Sequence, residues 1–413
     1  MLDRAVNTGP TGSNGPPGVN GSSELLDTLI INLDYVGSCA GSCPVCALSA
    51  IERKRQQAFL NLDQIEHALD EAAAQGATQA ENLVLGIGRG NVLDLGPDTA
   101  DRLNEIAHAA SDRFQFNHGL AEIATSVMGR LSDQIESATR IHEQMTSASH
   151  GIDPRFVVVA NAANTSAKYW EHLCSFIDHM SGLRGHGDGS GNILLINLSL
   201  GDLPPVEQLL EFVGHYRFPV NVTWAPPIDP VGNEPARYEA LEEWLLKWYA
   251  ASVSNGMDSS LVQRTKEAMF SNSLDMGDLR AQIDGHGNML LVVDNTGDLH
   301  YGFSSVSADM DPVRFASGAS QGVQQPANGE NQRMVKTPAH ELAKLVRWRT
   351  CRACPYLAAC VVSGGYKSGL LTIDRLLENE APVTADVCPS GLRSVFRHHD
   401  EHVLGDHDQD MSG

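Results

Sequence analysis

The feature that most constrains this fold is an alternation of short apolar runs with helical patterns, from about residue 24 to residue 225. Apolar runs of this length, bounded by turn residues, predict strands that are buried on both faces. The segments between them carry apolar residues at helical spacing, as at Leu62, Ile65 and Leu69. Such alternation predicts a parallel sheet with helices outside it. The predicted strands are residues 29–35, 82–88, 120–125, 155–160, 192–198 and 219–224.

Six strand-helix units can form an open doubly wound sheet or an incomplete barrel, and periodicity alone does not separate these two architectures. Beyond residue 225 the pattern changes. An amphipathic helix is predicted over 236–252, with Trp244 and Trp248 as packing residues. A β-hairpin is predicted over 288–301, turning at 295–297.

Length and charge narrow the class of protein. A chain of 413 residues predicts two domains, or one large α/β barrel with an appendage. With 29 basic and 51 acidic residues, the net charge is −22, which disfavours nucleic acids and anionic membranes as partners. No apolar run reaches the roughly 18 residues of a spanning helix, and no signal peptide is recognisable. We therefore expect a cytoplasmic protein.

Three cysteines, Cys39, Cys43 and Cys46, follow the first predicted strand at C-x3-C-x2-C spacing. In a reducing compartment such a group indicates a metal or cluster site rather than a disulfide. A cubane iron–sulfur cluster normally takes four thiolates, so three would leave one iron open to another ligand. A zinc knuckle or three unrelated thiols are the alternatives.

The C-x3-C-x2-C run resembles the signature of the radical SAM enzymes. The resemblance implies that Cys39, Cys43 and Cys46 hold a [4Fe–4S] cluster whose open iron binds S-adenosylmethionine. Reductive cleavage would then give a 5′-deoxyadenosyl radical. It also implies a partial (β/α)6 TIM-type barrel with the cysteine loop after its first strand, and an electron donor such as flavodoxin or ferredoxin.

A second group, Cys351, Cys354, Cys360 and Cys388, has the number of ligands for a closed site. Four cysteines can hold either a zinc ion or a four-thiolate cluster. Their spacing resembles the C-terminal SPASM or twitch extension of radical SAM enzymes. Cysteines of the fuller pattern are missing around residues 297–302 and at Gly364, so the resemblance implies one auxiliary [4Fe–4S] cluster in a small C-terminal iron–sulfur domain. The remaining cysteine, Cys174, is predicted to be a buried structural thiol.

Polar residues and glycines at the ends of the predicted strands are candidates for binding S-adenosylmethionine, because ligands of α/β sheets bind at the carboxyl ends of strands. The glycine run after the second strand resembles the family's methionine-binding segment, although such a run is also common in ordinary turns. The candidate residues are Gly86, Gly88, Asn91, Thr125, Ser126, Asn161 and Ser199.

The predicted organisation has five parts. They are a flexible Gly/Pro-rich tail at 1–23, the radical SAM barrel at 24–255, a linker with the hairpin at 256–345, the auxiliary cluster domain at 346–397, and a polar tail at 398–413. The histidines of the last segment are predicted to be solvated.

The resemblance to radical SAM enzymes with such C-terminal extensions implies oxidative modification or crosslinking of a ribosomally made peptide or of a protein side chain. A separate leader-peptide-binding protein would then be a possible partner. Two other functions stay open: a radical SAM dehydrogenase of a small molecule, and a non-catalytic zinc or iron–sulfur scaffold.

Overall fold

The computed structural model of the protein describes most of the predicted barrel and two C-terminal segments. Its described residues are 26–33, 62–74, 78–87, 91–94, 96, 98–148, 150–183, 191–224, 235–270, 288–293, 299–303, 338–378 and 386–404.

The strands are β1 Leu26–Leu33, β2 Gln79–Ile87, β3 Gln115–Thr125, β4 Ile152–Asn161, β5 Ile193–Leu198, β6 Val220–Trp224, β7 Asn288–Val293 and β8 Leu299–Phe303. The barrel helices are α1 Leu62–Ala74, α2 Thr99–Ser111, α3 Leu131–Ser147, α4 Ala167–Gly182 and α5 Val206–Val213. The later helices are α6 Pro235–Ser254, α7 Ser260–Met269, α8 Pro338–Leu345, α9 Arg349–Arg352, α10 Leu357–Val362, α11 Gly365–Glu378 and α12 Arg393–His399.

Strands β1 to β6 pair in parallel and in chain order, which confirms the predicted partial (β/α)6 barrel. Each connection steps one strand in the same direction. Because parallel crossovers are right-handed, all five intervening helices fall on one face of the sheet. The other face curls inward as in a barrel. An open doubly wound sheet would instead reverse direction at one point, and no reversal occurs among these six strands.

The helix-facing side of the sheet is apolar, as alternation along β4 illustrates. Phe156 faces α4 and makes an edge-to-face contact with Phe176, at a ring-centroid distance of 5.9 Å. Val158 and Ala160, two and four residues further on, belong to the same buried core. This layer between sheet and helices is the main core of the described barrel.

The concave side carries polar and charged residues. Arg155 points to the face opposite Phe156, and it is paired in register with Glu122 of β3. The same row continues through Gly86 of β2 to Asn32 of β1. Residues directly opposite on neighbouring strands share a face. This row of the inner surface is therefore polar, whereas the outer surface is apolar.

The predicted hairpin is present as β7 and β8, which pair antiparallel. Its position was not predicted. Strand β7 runs parallel to β1 and extends the sheet beyond it, so β1 lies between β2 and β7. The segment interpreted as a linker thus contributes two strands to the barrel sheet, together with helix α7, which lies against β6 through the bridge between Val220 and Ser259.

The C-terminal helices α8 to α12 form a compact unit against α6. Trp348 is buried and donates through Nε1 to the carbonyl of Val387 at 3.1 Å. As predicted, Trp244 and Trp248 of α6 are buried, and their rings stack with centroids 5.6 Å apart. Trp244 Nε1 also donates to the carbonyl of Pro204 at 2.6 Å, just after β5. Helix α6 therefore contacts both the barrel and the C-terminal helices.

The prediction that the histidines of the last segment are solvated is wrong for His399. Helix α12 continues through His399, and residues 400–404 add a π-helical turn. His399 is buried, and the hydroxyl of Tyr249 on α6 lies 2.6 Å from its Nδ1. A buried hydrogen bond of this kind offsets the desolvation of the imidazole. No helix within the described part of the chain is long and apolar enough to cross a membrane.

Candidate functional site

The predicted cluster ligands Cys39, Cys43 and Cys46 lie outside the described residues, but the strand that leads to them is well placed. Strand β1 ends at Leu33, six residues before Cys39. It is flanked on both sides, by β2 and by β7. Because the parallel strands end at one edge, β1 ends at the carboxyl edge of the sheet, six residues before the motif begins in the sequence.

At that edge, Asn91 joins the ends of β2 and β3. Its Oδ1 accepts hydrogen bonds from the backbone N–H of Leu93 at 3.3 Å and of Ser126 at 3.4 Å. The hydroxyl of Thr125 donates to the same oxygen. Asn91, Thr125 and Ser126 are all buried. The structure therefore brings three of the predicted binding residues into one hydrogen-bonded group.

This group has unused polar atoms. With Oδ1 accepting three donors, the orientation of the Asn91 amide is fixed, and its Nδ2 makes no hydrogen bond to the described residues. The buried Ser126 Oγ also lacks a partner there, as do both amide atoms of Gln134 on α3. A buried polar atom left unpaired costs about 1–3 kcal/mol. The edge of the sheet therefore presents donors that a polar ligand could satisfy.

The other predicted binding residues stand apart from this group. Asn161 Oδ1 accepts from the backbone N–H of Ala163 at 3.1 Å, and the Asn161 N–H donates to Tyr169 Oη at 2.8 Å. These bonds form a local turn that leads into α4. The Ser199 carbonyl accepts from the Asp202 N–H at 3.1 Å in another turn. Gly88 lies outside the described residues.

Gly86 has a steric role on the concave face. A Cβ at this position would collide with Oδ1 of Asn32 on β1. Glycine at position 86 therefore leaves room for the Asn32 carboxamide to lie across β2, in the same row as Glu122 and Arg155.

Sequence reasoning missed the charged pair on the concave face. Arg155 donates through Nη2 to Glu122 Oε1, and both side chains are buried. Buried charges of this kind occur almost only as pairs. The sequence does hint at such residues, since each is a single charge within or next to a predicted apolar strand. Their pairing, however, depends on the register of two strands, because the residues lie 33 positions apart.

The four C-terminal cysteines come together in the structure. Burial raises the pKa of each thiol, and the pKa of Cys351 is raised further by the charges of Cys360, Cys388 and Cys354. Cys360 donates through Sγ to Ser390 Oγ at 3.4 Å, and Cys388 Sγ lies 3.5 Å from the same oxygen. Two of these cysteines, Cys351 and Cys388, are buried, and Cys354 and Cys360 are partly buried. Such a group of thiols favours binding of a cation, which would stabilise the thiolates.

Donors surround these sulfurs. The backbone N–H of Tyr356 lowers the pKa of Cys354, and the backbone N–H of Arg393 lowers the pKa of Cys388. The positive charge of Arg393 lowers the pKa of Cys351, Cys354 and Cys388, against the larger effect of burial. Thiolates bound to a metal are accompanied by outer hydrogen-bond donors of this type.

Arg393 is itself held by a buried carboxylate on α6. Glu242 accepts from Arg393 Nε at 3.2 Å and Nη2 at 3.3 Å, and from the Ser394 N–H and hydroxyl at 3.0 and 2.7 Å. Arg393 Nη1 also donates to Asp386 at 3.2 Å. These contacts hold α12 against α6 and against the segment that precedes Cys388.

Within the described ranges, no three Cys, His, Asp or Glu side chains converge closely enough to hold a single metal ion. A zinc site requires four sulfurs about 2.3 Å from one point.

Cys174 behaves as predicted for a structural thiol. It is fully buried on α4, and its Sγ lies 3.9 Å from the carbonyl of Phe212. Burial raises its pKa to about 12, so the thiol stays protonated and unreactive at neutral pH.

Comparison with known proteins gives only distant likenesses. No protein-family model matches the chain, and neither does any curated protein. Among solved structures, coproporphyrinogen III oxidase (HemN) from Escherichia coli, described as a radical SAM enzyme, is 15% identical over 60% of this chain and 59% of its own, with a TM-score of 0.38. Native anSMEcpe with bound AdoMet is 9% identical over 92% of this chain and 98% of its own, with a TM-score of 0.41.

HydG, a maturase of the FeFe hydrogenase, is 8% identical over 49% of this chain and 44% of its own, with a TM-score of 0.30. This chain therefore spans less than two thirds of the length of two of these three proteins. At such TM-scores and identities, the likenesses carry no argument about the activity of this chain.

Proposed function

We propose that this chain is a radical SAM enzyme. The observation that carries the proposal is the position of its cysteine motif. In the sequence, the C-x3-C-x2-C run begins six residues after β1, and β1 ends at the carboxyl edge of six parallel strands in chain order. In this role Cys39, Cys43 and Cys46 hold a [4Fe–4S] cluster, which supplies reductive cleavage of S-adenosylmethionine when bound.

The unpaired donors at the same edge support this role. Asn91 Nδ2 and Ser126 Oγ are buried and without partners among the described residues. S-adenosylmethionine presents a carboxylate, an amine and ribose hydroxyls, all of which can bond to an amide N–H or a hydroxyl. We propose that Asn91 and Ser126 contact this ligand, while Thr125 holds the amide of Asn91 in place.

The C-terminal unit is proposed to hold one auxiliary [4Fe–4S] cluster through Cys351, Cys354, Cys360 and Cys388. The count of four and the hydrogen-bond donors around the sulfurs support a cluster. An auxiliary cluster suits an oxidative reaction, since it accepts the electron left on the substrate. On this basis the proposed reaction is oxidative modification or crosslinking of a peptide or protein side chain in the cytoplasm, with flavodoxin or ferredoxin as electron donor.

Anaerobic reconstitution tests the proposal. We expect about eight iron atoms per chain, as two cubanes require, and release of 5′-deoxyadenosine on reduction. Cys43→Ala should abolish this release, whereas Cys354→Ala should preserve it and block net turnover. Cys174→Ala is the matched control and should retain iron content and cleavage.

Zinc in place of iron, with no cleavage of S-adenosylmethionine, would contradict the proposal and favour the scaffold alternative. Identical behaviour of the Cys43 and Cys354 variants would contradict the division of roles between the two cysteine groups. Turnover of a small molecule without any peptide would favour the small-molecule dehydrogenase.

A further inference from the structure

We infer that the hydroxyl of Ser390 sets the reduction potential of the group bound by the four C-terminal cysteines. This inference rests on the proposed auxiliary cluster. Ser390 is buried, and its Oγ lies 3.4 Å from Cys360 Sγ and 3.5 Å from Cys388 Sγ. One hydroxyl thus contacts two of the four sulfur ligands.

The direction of this hydrogen bond follows from the other partner of Ser390. The backbone N–H of Leu392 donates to Ser390 Oγ at 3.4 Å, so one lone pair of the oxygen is already used. A sulfur that is a metal ligand has lost its proton and can only accept. The single hydroxyl proton of Ser390 is therefore donated to Cys360 or Cys388.

The backbone around Ser390 keeps the hydroxyl in this position. The Gly391 N–H donates to the Cys388 carbonyl at 3.1 Å, which closes a tight turn. Gly391 has a φ of 69°, a conformation that favours glycine. A Cβ there would lie 2.9 Å from Leu245 Cδ1 on α6. The turn is therefore fixed both by its own backbone and by packing against α6.

A donor to a ligand sulfur stabilises the reduced, more negative state more than the oxidised state. Hydrogen bonds to the sulfurs are one of the determinants of iron–sulfur potentials. The backbone donors from Tyr356 and Arg393 act in the same direction but cannot be removed by changing a side chain. Ser390 is the described side-chain hydroxyl with hydrogen bonds to these sulfurs, so its removal isolates one donor.

The test uses the full chain with Cys39, Cys43 and Cys46 replaced by alanine, so that only the C-terminal group binds iron. Potentiometric titration followed by electron paramagnetic resonance measures the potential. Ser390→Ala should shift the potential downward, and Ser390→Thr, which retains the hydroxyl, should restore it.

Ser363→Ala is the matched control. Ser363 Oγ accepts from the backbone N–H of Gly365, two residues on, at 3.4 Å, just as Ser390 does from Leu392. Its hydroxyl donates to the Cys360 carbonyl rather than to a sulfur. Its replacement should leave the potential unchanged, and equal potentials in the Ser390→Ala and Ser363→Ala proteins would overturn the inference.

If the Ser390→Ala protein fails to take up iron, a second measurement, on the parent protein, tests the inference instead. In the parent protein, transfer to D2O should remove a proton that is magnetically coupled to the reduced cluster, and absence of such an exchangeable proton overturns the inference. A parent protein that binds no iron overturns the proposed auxiliary cluster as well. A loaded cluster with an unaltered potential overturns only the role of Ser390.

Discussion

The carboxyl edge of the barrel and the four-cysteine unit bury polar groups in opposite ways. Around the thiols, Ser390, Glu242 and Arg393 all make hydrogen bonds within the described residues. At the barrel edge, Asn91 Nδ2 and Ser126 Oγ are buried without such a partner. Buried polar groups in native proteins are nearly always satisfied. The polar groups next to the thiols are therefore satisfied by the protein itself, although Thr372 Oγ1 on α11 is buried without a described partner, whereas the groups at the barrel edge are open to a ligand.

The largest effect is expected in the four-cysteine unit. Glu242→Ala leaves Arg393 and the Ser394 N–H and hydroxyl without their buried acceptor. Breaking a buried charge pair destabilises by about 3–5 kcal/mol, and because Arg393 is 24% exposed and keeps its bond to Asp386, we expect the lower end, about 3 kcal/mol. Chemical denaturation measures this loss in the free energy of unfolding.

The neighbouring Glu243 is a matched control. Its side chain is 68% exposed and pairs with Lys247 at 2.8 Å. Glu243→Ala should change stability by no more than about 0.5 kcal/mol. If both variants cost equally little, the polar groups around Cys388 are not satisfied as described.

A smaller loss of stability is expected when the acceptor at the barrel edge is removed. Asn91→Ala leaves the donors of Leu93, Thr125 and Ser126 without Oδ1, at a cost of about 1–3 kcal/mol. Asn117→Ala, on the same strand as Thr125, removes only an exposed bond to Glu81 and should be nearly neutral. Urea unfolding of the two variants gives the comparison directly, and an equal cost would deny Asn91 its structural role.

The barrel edge predicts a variant that affects binding but not folding. Ser126→Ala removes a hydroxyl that has no partner among the described residues, so the unfolding free energy should stay level or rise slightly. Affinity for S-adenosylmethionine should fall about tenfold, which corresponds to one lost hydrogen bond of about 1.4 kcal/mol. Calorimetric titration of the reconstituted protein measures the affinity and urea unfolding measures the stability, with the exposed Ser132→Ala as control in both. A clear loss of stability with unchanged affinity would remove Ser126 from the binding surface.

The smallest effect concerns pH and the four-cysteine unit. Burial lowers the pKa of His399, with a further contribution from Lys266 and His398 and an opposing one from Asp400. As the pH falls, the unfolded chain therefore binds the proton at a higher pH than the folded chain does. The stabilisation from neutral His399 is complete above about pH 6.5 and is lost as the pH falls through the folded pKa, by at most about 1.4 kcal/mol per pH unit.

His399→Gln should flatten this part of the stability profile between pH 7.5 and pH 5.5, measured from urea midpoints. His67 is the control, since its side chain is 75% exposed on α1. If His399→Gln and His67→Gln give the same profile, the Tyr249–His399 contact does not contribute to acid sensitivity.

The barrel was predictable because its information is local. Continuous apolar runs indicated β1 to β6, and the errors lie at strand ends. Strand β3 begins at Gln115 rather than at residue 120, since its first residues are polar and exposed. Strand β4 begins at Ile152 although Pro154 interrupts its pattern. In both strands, pairing with the neighbour extends the element beyond its apolar signal.

The features that were missed depend on distant pairing. The Glu122–Arg155 pair requires the register of β3 against β4. Residue His399 belongs to a polar stretch, and only its contact with Tyr249, 150 positions earlier, explains its burial. At the candidate site, strand ends predicted Asn91, Thr125 and Ser126, but not Gln134, whose position follows from the packing of α3. Which side chains meet at a turn or a helix depends on residues that are distant in the chain, so no short stretch of sequence predicts it.

The place of β1 between β2 and β7 has a consequence for synthesis of the protein. Strand β1 ends at Leu33, whereas its second neighbour is complete only at Val293. At roughly 5–20 residues per second, the ribosome takes on the order of 10–50 seconds to supply that neighbour. During this interval one side of β1, which ends six residues before the cysteine motif, has no partner strand. An unpaired strand edge is a template for aggregation, so the nascent chain is exposed to aggregation along this edge until β7 is made.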